Sequence, residues 1–212
     1  MLFLNMTIIS KFILPAGKVH KLYFQYIGWS LASNVITSVQ TAISTDSMLQ
    51  VIGECSESYR TMNYIGKDII GQVGGLAYMA KLGKTADKNP KSFLLYSNVL
   101  QQLSIMSISM TPLIPAELFL PVAGTSNVLQ NICFTGFGAI NAKCIQTLAT
   151  DNNIGEIYAK VTVINTIGSS IGLMIGLGIT SIIPDNNTRL ALVPVLGLLR
   201  VHTFNRAIKD IV

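Results

Sequence analysis

Lys67 and Asp68 are the side chains here with the clearest chemical potential, two adjacent ionisable residues inside an otherwise apolar stretch, 64–80. A charge held in the middle of a bilayer costs about 2.5 to 3.5 kcal/mol on insertion scales, so such residues need partners. Neighbours on a helix point about 100° apart, so the two are expected to find those partners on other helices or in water, not simply in each other. They would contribute to a polar site, or snorkel outward from one turn inside the membrane. Other candidate chemistry fails on spacing. Gly83, Lys84 and Thr85 imitate the end of a phosphate-binding loop, but Tyr78 stands where its first glycine should be. Gly136 with Gly138, and Gly176 with Gly178, lack the strand and the downstream acid of a dinucleotide fingerprint. The histidines are His20 and His202, and no paired carboxylates accompany them, so neither nucleophilic nor metal catalysis has enough candidates. Cys55, Cys133 and Cys144 are odd in number and far apart, which excludes a recognisable zinc or disulfide framework. No enzyme, metal or cofactor is expected.

The elements that must position these residues read as helices. Hydrophobic residues make up 50% of the chain and charged ones 12%, with a mean hydropathy of +0.52, which leaves too little polar surface to cover a soluble domain. A span needs about 20 apolar residues for a hydrocarbon core of about 30 Å. Uncharged stretches of that length lie at 22–45, 92–116, 118–142 and 161–184, and two shorter segments complete the set: 64–80, which contains Lys67 and Asp68, and 190–204, interrupted by Arg200 and His202. The fold class predicted is therefore all-α, a polytopic transmembrane bundle of about six spans, with the lipid bilayer as its first partner. Pro112, Pro115 and Glu117 break spans three and four, and Asp185, Asn186 and Asn187 turn between spans five and six.

Loop charge supports the same count. Lys11, Lys18, Lys21, Lys81, Lys84, Lys88, Lys91, Lys143, Lys160, Arg200, Arg206 and Lys209 fall on one side, against Arg60 and Arg189 on the other. Both termini are then expected on the cytoplasmic-equivalent side, with 1–21 an interfacial segment and 22–212 the helical domain. The net charge of +5 is dispersed between apolar runs and lines no stripe, so nucleic acid is not an expected partner. Gly168, Gly172 and Gly176 recur every four residues, and Gly71 and Gly75 repeat that spacing, so both sets predict helix faces that admit close packing.

Two resemblances add to this reading. Gly83, Asp87, Lys88 and Lys91 approximate the glycine, aspartate and basic pattern in a cytoplasmic loop of major facilitator transporters, although Pro90 and Ser92 depart from it and solvated loop charges explain the same residues. More of the chain resembles the root UVB sensitive (RUS) family. The likeness begins with Leu14-Pro15-Ala16-Gly17, passes through Tyr26, Trp29, Lys67-Asp68, Gly71 and Gly74, and continues in Asp87 to Lys91, Phe93 and Asn98. It ends through Thr111-Pro112-Leu113, Asn153-Ile154-Gly155-Glu156, Ala159-Lys160 and the 168–178 glycines. Residues 75–76, 147–151 and 161–163 depart from the family pattern, as in a divergent member. The resemblance implies a non-enzymatic membrane protein linked to vitamin B6 homeostasis and early UV-B responses, assembling with itself or another RUS protein, and it adds Asn153, Glu156 and Lys160 to the polar candidates. The alternative is a small-molecule half-transporter using Lys67 and Asp68, its ligand unspecified.

Overall fold

A computed structural model describes residues 13–15, 18–53 and 56–211, with side chains throughout except at 79–88, 139 and 140. Among these residues the chain forms six long helices: α1 (Tyr23–Gly53), α2 (Glu57–Lys88), α3 (Pro90–Ser109), α4 (Phe119–Leu148), α5 (Ile154–Ile182) and α6 (Asn186–Ile208). The Pro112 and Pro115 break becomes two short 3-10 turns, Thr111–Leu113 and Ala116–Leu118. Asp185 caps α6, accepting from the Thr188 backbone N–H at 2.8 Å and so satisfying one of the free donors of the first turn.

The all-α reading holds; the six membrane spans do not. Among the described residues only α5 is both long and apolar enough to cross a bilayer. The sequence reading scored absence of charge, which is not the same as hydrophobicity. α1 carries Ser33, Gln40, Ser44 and Ser47, and α3 carries Ser97, Asn98, Gln101, Gln102 and Ser104, all of them buried inside the protein. Hydroxyls and amides are costly in hydrocarbon and are stable inside a fold where they find partners. The Gln40 amide donates to Gln102 Oε1 at 2.9 Å and to the Val193 carbonyl at 3.0 Å, and the Ser104 hydroxyl donates to the Ser126 carbonyl at 2.8 Å. Two cations counted in loops are also inside: Arg189 and Arg200 are 4% and 6% exposed. Arg189 pairs with Asp46 of α1. The alternation of loop charge, the multi-pass topology and the half-transporter expectation fall with the spans.

α1 is the spine of the bundle because it supplies residues to three successive apolar clusters. Tyr23, Tyr26 and Ile27 join Phe93, Leu94, Ile145, Leu148, Ile157 and Ile208 at one end. Val39 and Ile43 meet Ile105 and Val193 in the middle. Met48 and Ile52 meet Ile108, Phe119 and Ala123 at the other end. Around it α5 and α6 lie against α1, while α4 packs against α2 and α3.

The glycines set how closely these helices approach. A Cβ built on Gly172 would lie 2.3 Å from the Val35 carbonyl oxygen, one on Gly168 2.9 Å from Leu31 Cδ1, and one on Gly176 2.5 Å from Ala42 Cβ. The α1–α5 interface is therefore backbone against backbone along one stripe. On α2, a Cβ at Gly71 would meet Asn127 Cβ at 2.5 Å and one at Gly74 would meet Val128 Cγ2 at the same distance, with Gly75 also buried.

Candidate functional site

The ionisable residues singled out by spacing do not converge. Lys67 Nζ donates to Asp68 Oδ1 at 2.7 Å and sits 4.3 Å from the Tyr64 ring centroid, while Asn127 Nδ2 donates to the same Asp68 oxygen at 2.6 Å. The two charges thus do pair with each other, against the expectation from helix geometry. The flexible four-carbon stem of lysine spans the angular offset that separates the two Cβ atoms. With the Asp68 side chain 46% exposed, water screens this pair. Lys91 donates to the Lys209 carbonyl at 3.4 Å, where α3 begins and α6 ends. Asn153 donates to the Lys18 carbonyl at 3.1 Å at the start of α5, with Glu156 in the first turn of that helix and Lys160 one turn further on. The Asp87 side chain lies outside the described residues.

What the fold builds instead is a cavity of about 500 Å³ between α1, α3, α4, α5 and α6. None of the ionisable residues above lines it. Its α1 wall is polar, formed by Tyr26, Ser30, Ser33, Asn34, Thr37, Ser38 and Thr41. The Tyr26 hydroxyl donates to Asn141 Oδ1 at 2.8 Å, and Ser30 Oγ and Asn34 Nδ2 donate to Asn165 Oδ1 at 3.0 and 2.9 Å. The opposite side is aromatic, with Phe134, Phe137 and Phe204. Arg200 reaches in from α6. Its Nε donates to Thr37 Oγ1 and its Nη2 to Gln101 Oε1 at 3.4 Å, and its Cζ lies 4.7 and 5.7 Å from the Phe204 and Phe137 ring centroids. Nη1 is buried and finds no hydrogen-bond partner. Burial lowers the guanidinium to about 10, so it stays cationic at neutral pH. The lining holds no carboxylate, and the ion pairs Lys67–Asp68 and Arg189–Asp46 lie elsewhere. Cys144 also faces the cavity, but burial pushes its thiol up to about 11, so it is held protonated and unreactive.

A volume in the range of small-molecule sites, apolar rings on one side and a few convergent polar groups on the other are the features of a ligand pocket. Comparison with known proteins gives this arrangement its setting. A family model described as the vitamin B6 photo-protection and homoeostasis domain matches residues 4–212. The chain belongs to the root UVB sensitive family. It is similar to the RUS protein "root UVB sensitive 4" of Arabidopsis thaliana, 27% identical over 187 residues that make up 86% of this chain and 36% of that protein. "Root UVB sensitive 6" of the same plant is 26% identical over 210 residues, 90% of this chain and 41% of that protein. "RUS family member 1" of Dictyostelium discoideum is 22% identical over 170 residues, 78% of this chain and 32% of that protein. The chain thus spans a third to two fifths of the RUS relatives it matches here. No solved structure matches it.

The cavity of this RUS chain left a trace in the sequence that the search for charge passed over. Positions 26, 30, 33, 34, 37, 38 and 41 recur at three- and four-residue intervals, a polar stripe along one face of the uncharged stretch 22–45. Such a stripe reads equally well as solvent-facing, and only the packing of α4, α5 and α6 around it turns it inward. Arg200 shows in the sequence only as a charge that interrupts the apolar stretch 190–204, and next to Arg206 and Lys209 it reads as a loop cation.

Proposed function

We propose that this RUS domain is a non-catalytic binding domain for a small molecule in vitamin B6 homeostasis, with the ligand held in the cavity beside α1. The observation that carries the reading is the cavity itself, walled by five helices and lined by hydroxyls, amides and rings. Binding without turnover suits this lining, which offers hydrogen-bonding groups and no carboxylate or imidazole to move protons. Calorimetric titration of the full chain with non-aldehyde B6 compounds tests it. Saturable binding is expected, weakened at least about tenfold by Ser169→Phe, which fills the cavity from α5, with the melting temperature little changed. Full affinity in that variant would place the ligand elsewhere.

The outer face of α5 favours a second, compatible role. Met174, Leu177 and Ile182 are 73%, 62% and 80% exposed, on a helix about 43 Å long at 1.5 Å per residue. Isolated apolar side chains need no partner, but a run of this kind on a helix apolar enough to span a bilayer suits contact with lipid. In a liposome flotation assay the chain is expected to float, and Met174→Asp with Leu177→Asp to leave it at the bottom of the gradient. Equal flotation of both proteins would dismiss α5 as the anchor.

A further inference from the structure

The charge in the cavity has no answering charge. Arg200 is 6% exposed, two of its nitrogens are held by Thr37 and Gln101, and Nη1 is buried without a partner. Ser33 Oγ, also on the cavity wall, is buried and unpartnered as well. Thr37 and Gln101 are neutral, and the Phe137 and Phe204 rings attract the cation without neutralising it. A buried ion is costly unless it is paired, and a fold that holds one beside open space has left room for the pair. Guanidinium is also the side chain whose planar donors match the oxygens of a phosphate or carboxylate.

We propose that the cavity takes a small molecule bearing a phosphate or carboxylate on an aromatic ring, with the anion on Arg200 and the ring against Phe137 and Phe204. This rests on the reading of the cavity as a ligand site and adds the chemical class of its occupant. The anion pairs with Arg200 at Nη1, the nitrogen without a partner, and Ser33 Oγ is a further unpartnered donor; both atoms are covered in the structure, so a side-chain shift at the wall uncovers them on binding. The guanidinium is kept in position by Thr37 and Gln101, so little ordering accompanies binding.

Titration of the full chain with pyridoxine 5′-phosphate and with pyridoxine separates the charge from the ring. Neither carries an aldehyde, so imines with surface lysines do not intrude. The ester is expected to bind about ten- to a hundredfold tighter than the alcohol, the range of a charge-assisted contact. R200Q should remove that difference while pyridoxine still binds, and R200K should keep part of it. The parent protein supplies a check that needs no variant: inorganic phosphate should compete with the ester and leave pyridoxine unaffected. R200M should melt no lower than the parent, because it removes an unpaired buried ion and keeps the volume. It should also lose the upward melting shift that the ester confers on the parent. Equal affinity for ester and alcohol, or an ester preference that survives R200Q, overturns the anion assignment and leaves the cavity reading in place. Binding of neither compound removes both. Arg200-dependent binding to phosphatidic acid nanodiscs with no binding of the soluble ester would make the occupant a lipid headgroup and overturn the proposal. An R200M chain that melts well below the parent would make Arg200 a structural strut, and would overturn it too.

Discussion

Replacing Gly172 with leucine should separate α1 from α5 and lower the melting temperature by about 6 to 12 °C or more. A Cβ alone at this position would lie 2.3 Å from the Val35 carbonyl oxygen and 2.7 Å from Ser38 Cβ. The obstacle is backbone, which cannot swing aside as a long side chain can. Overpacking of this kind costs about 1 to 3 kcal/mol for small additions to a core, and a whole leucine side chain sits at or above the upper limit. In a chain of this size each kcal/mol is worth about 2 to 4 °C. Gly178 on the same helix supplies the contrast, since a Cβ there meets nothing within 4 Å. Gly178→Ala should be neutral or stabilising by up to about 1 kcal/mol, because alanine restricts the unfolded chain and favours helix. Thermal melts followed by circular dichroism read both. A Gly172→Leu protein as stable as the parent would mean that the two helices are not in contact there.

Phe119→Ala is expected to be the most damaging apolar truncation at the far end of the bundle, at about 3 to 5 kcal/mol. Phe119 is 1% exposed at the first position of α4 and packs with Met48, Ile52, Ile108 and Ala123. It closes the corner where the 3-10 turns leave α3 and enter α4, so the cavity it leaves cannot be refilled by a neighbouring loop. Tyr96, 71% exposed on α3, is the control, and Tyr96→Ala should stay within about 0.5 kcal/mol of the parent. Denaturant unfolding monitored at several concentrations gives the difference directly. Similar midpoints for the two variants would show that this cluster contributes little.

The particular residues explain which inferences from sequence held. Helices came out where uncharged stretches lay between prolines, polar turns and clustered charge, because those signals act on the chain locally. Pro112 and Pro115 ended α3 through backbone sterics alone, and Asp185 capped α6 through its own side chain and the next three residues. The environment of those helices was a different matter. Ser33, Gln40, Asn98 and Gln102 carry no charge and passed as membrane-compatible, although their burial is that of a polar interior. Lys67 and Asp68, selected for being ionisable in an apolar run, proved to be a local pair of a buried lysine and a half-exposed aspartate. Arg189 and Arg200, counted among loop cations, proved to be buried.

From the amino-acid sequence by itself came the helical class, the breaks between helices, the glycine stripes and membership of the RUS family. The first three depend on spacing along one stretch of chain and the family on a resemblance in motifs spread over most of it, and neither needs knowledge of the fold. Tertiary structure alone decided which face of each helix is inside, and that an arginine from α6 meets Thr37 of α1 and Gln101 of α3 beside a cavity. Those residues are 163 and 99 positions from Arg200 in sequence. A contact over such distances depends on how whole helices dock, and the energy that selects the docking is summed over all of them, so no local pattern records it.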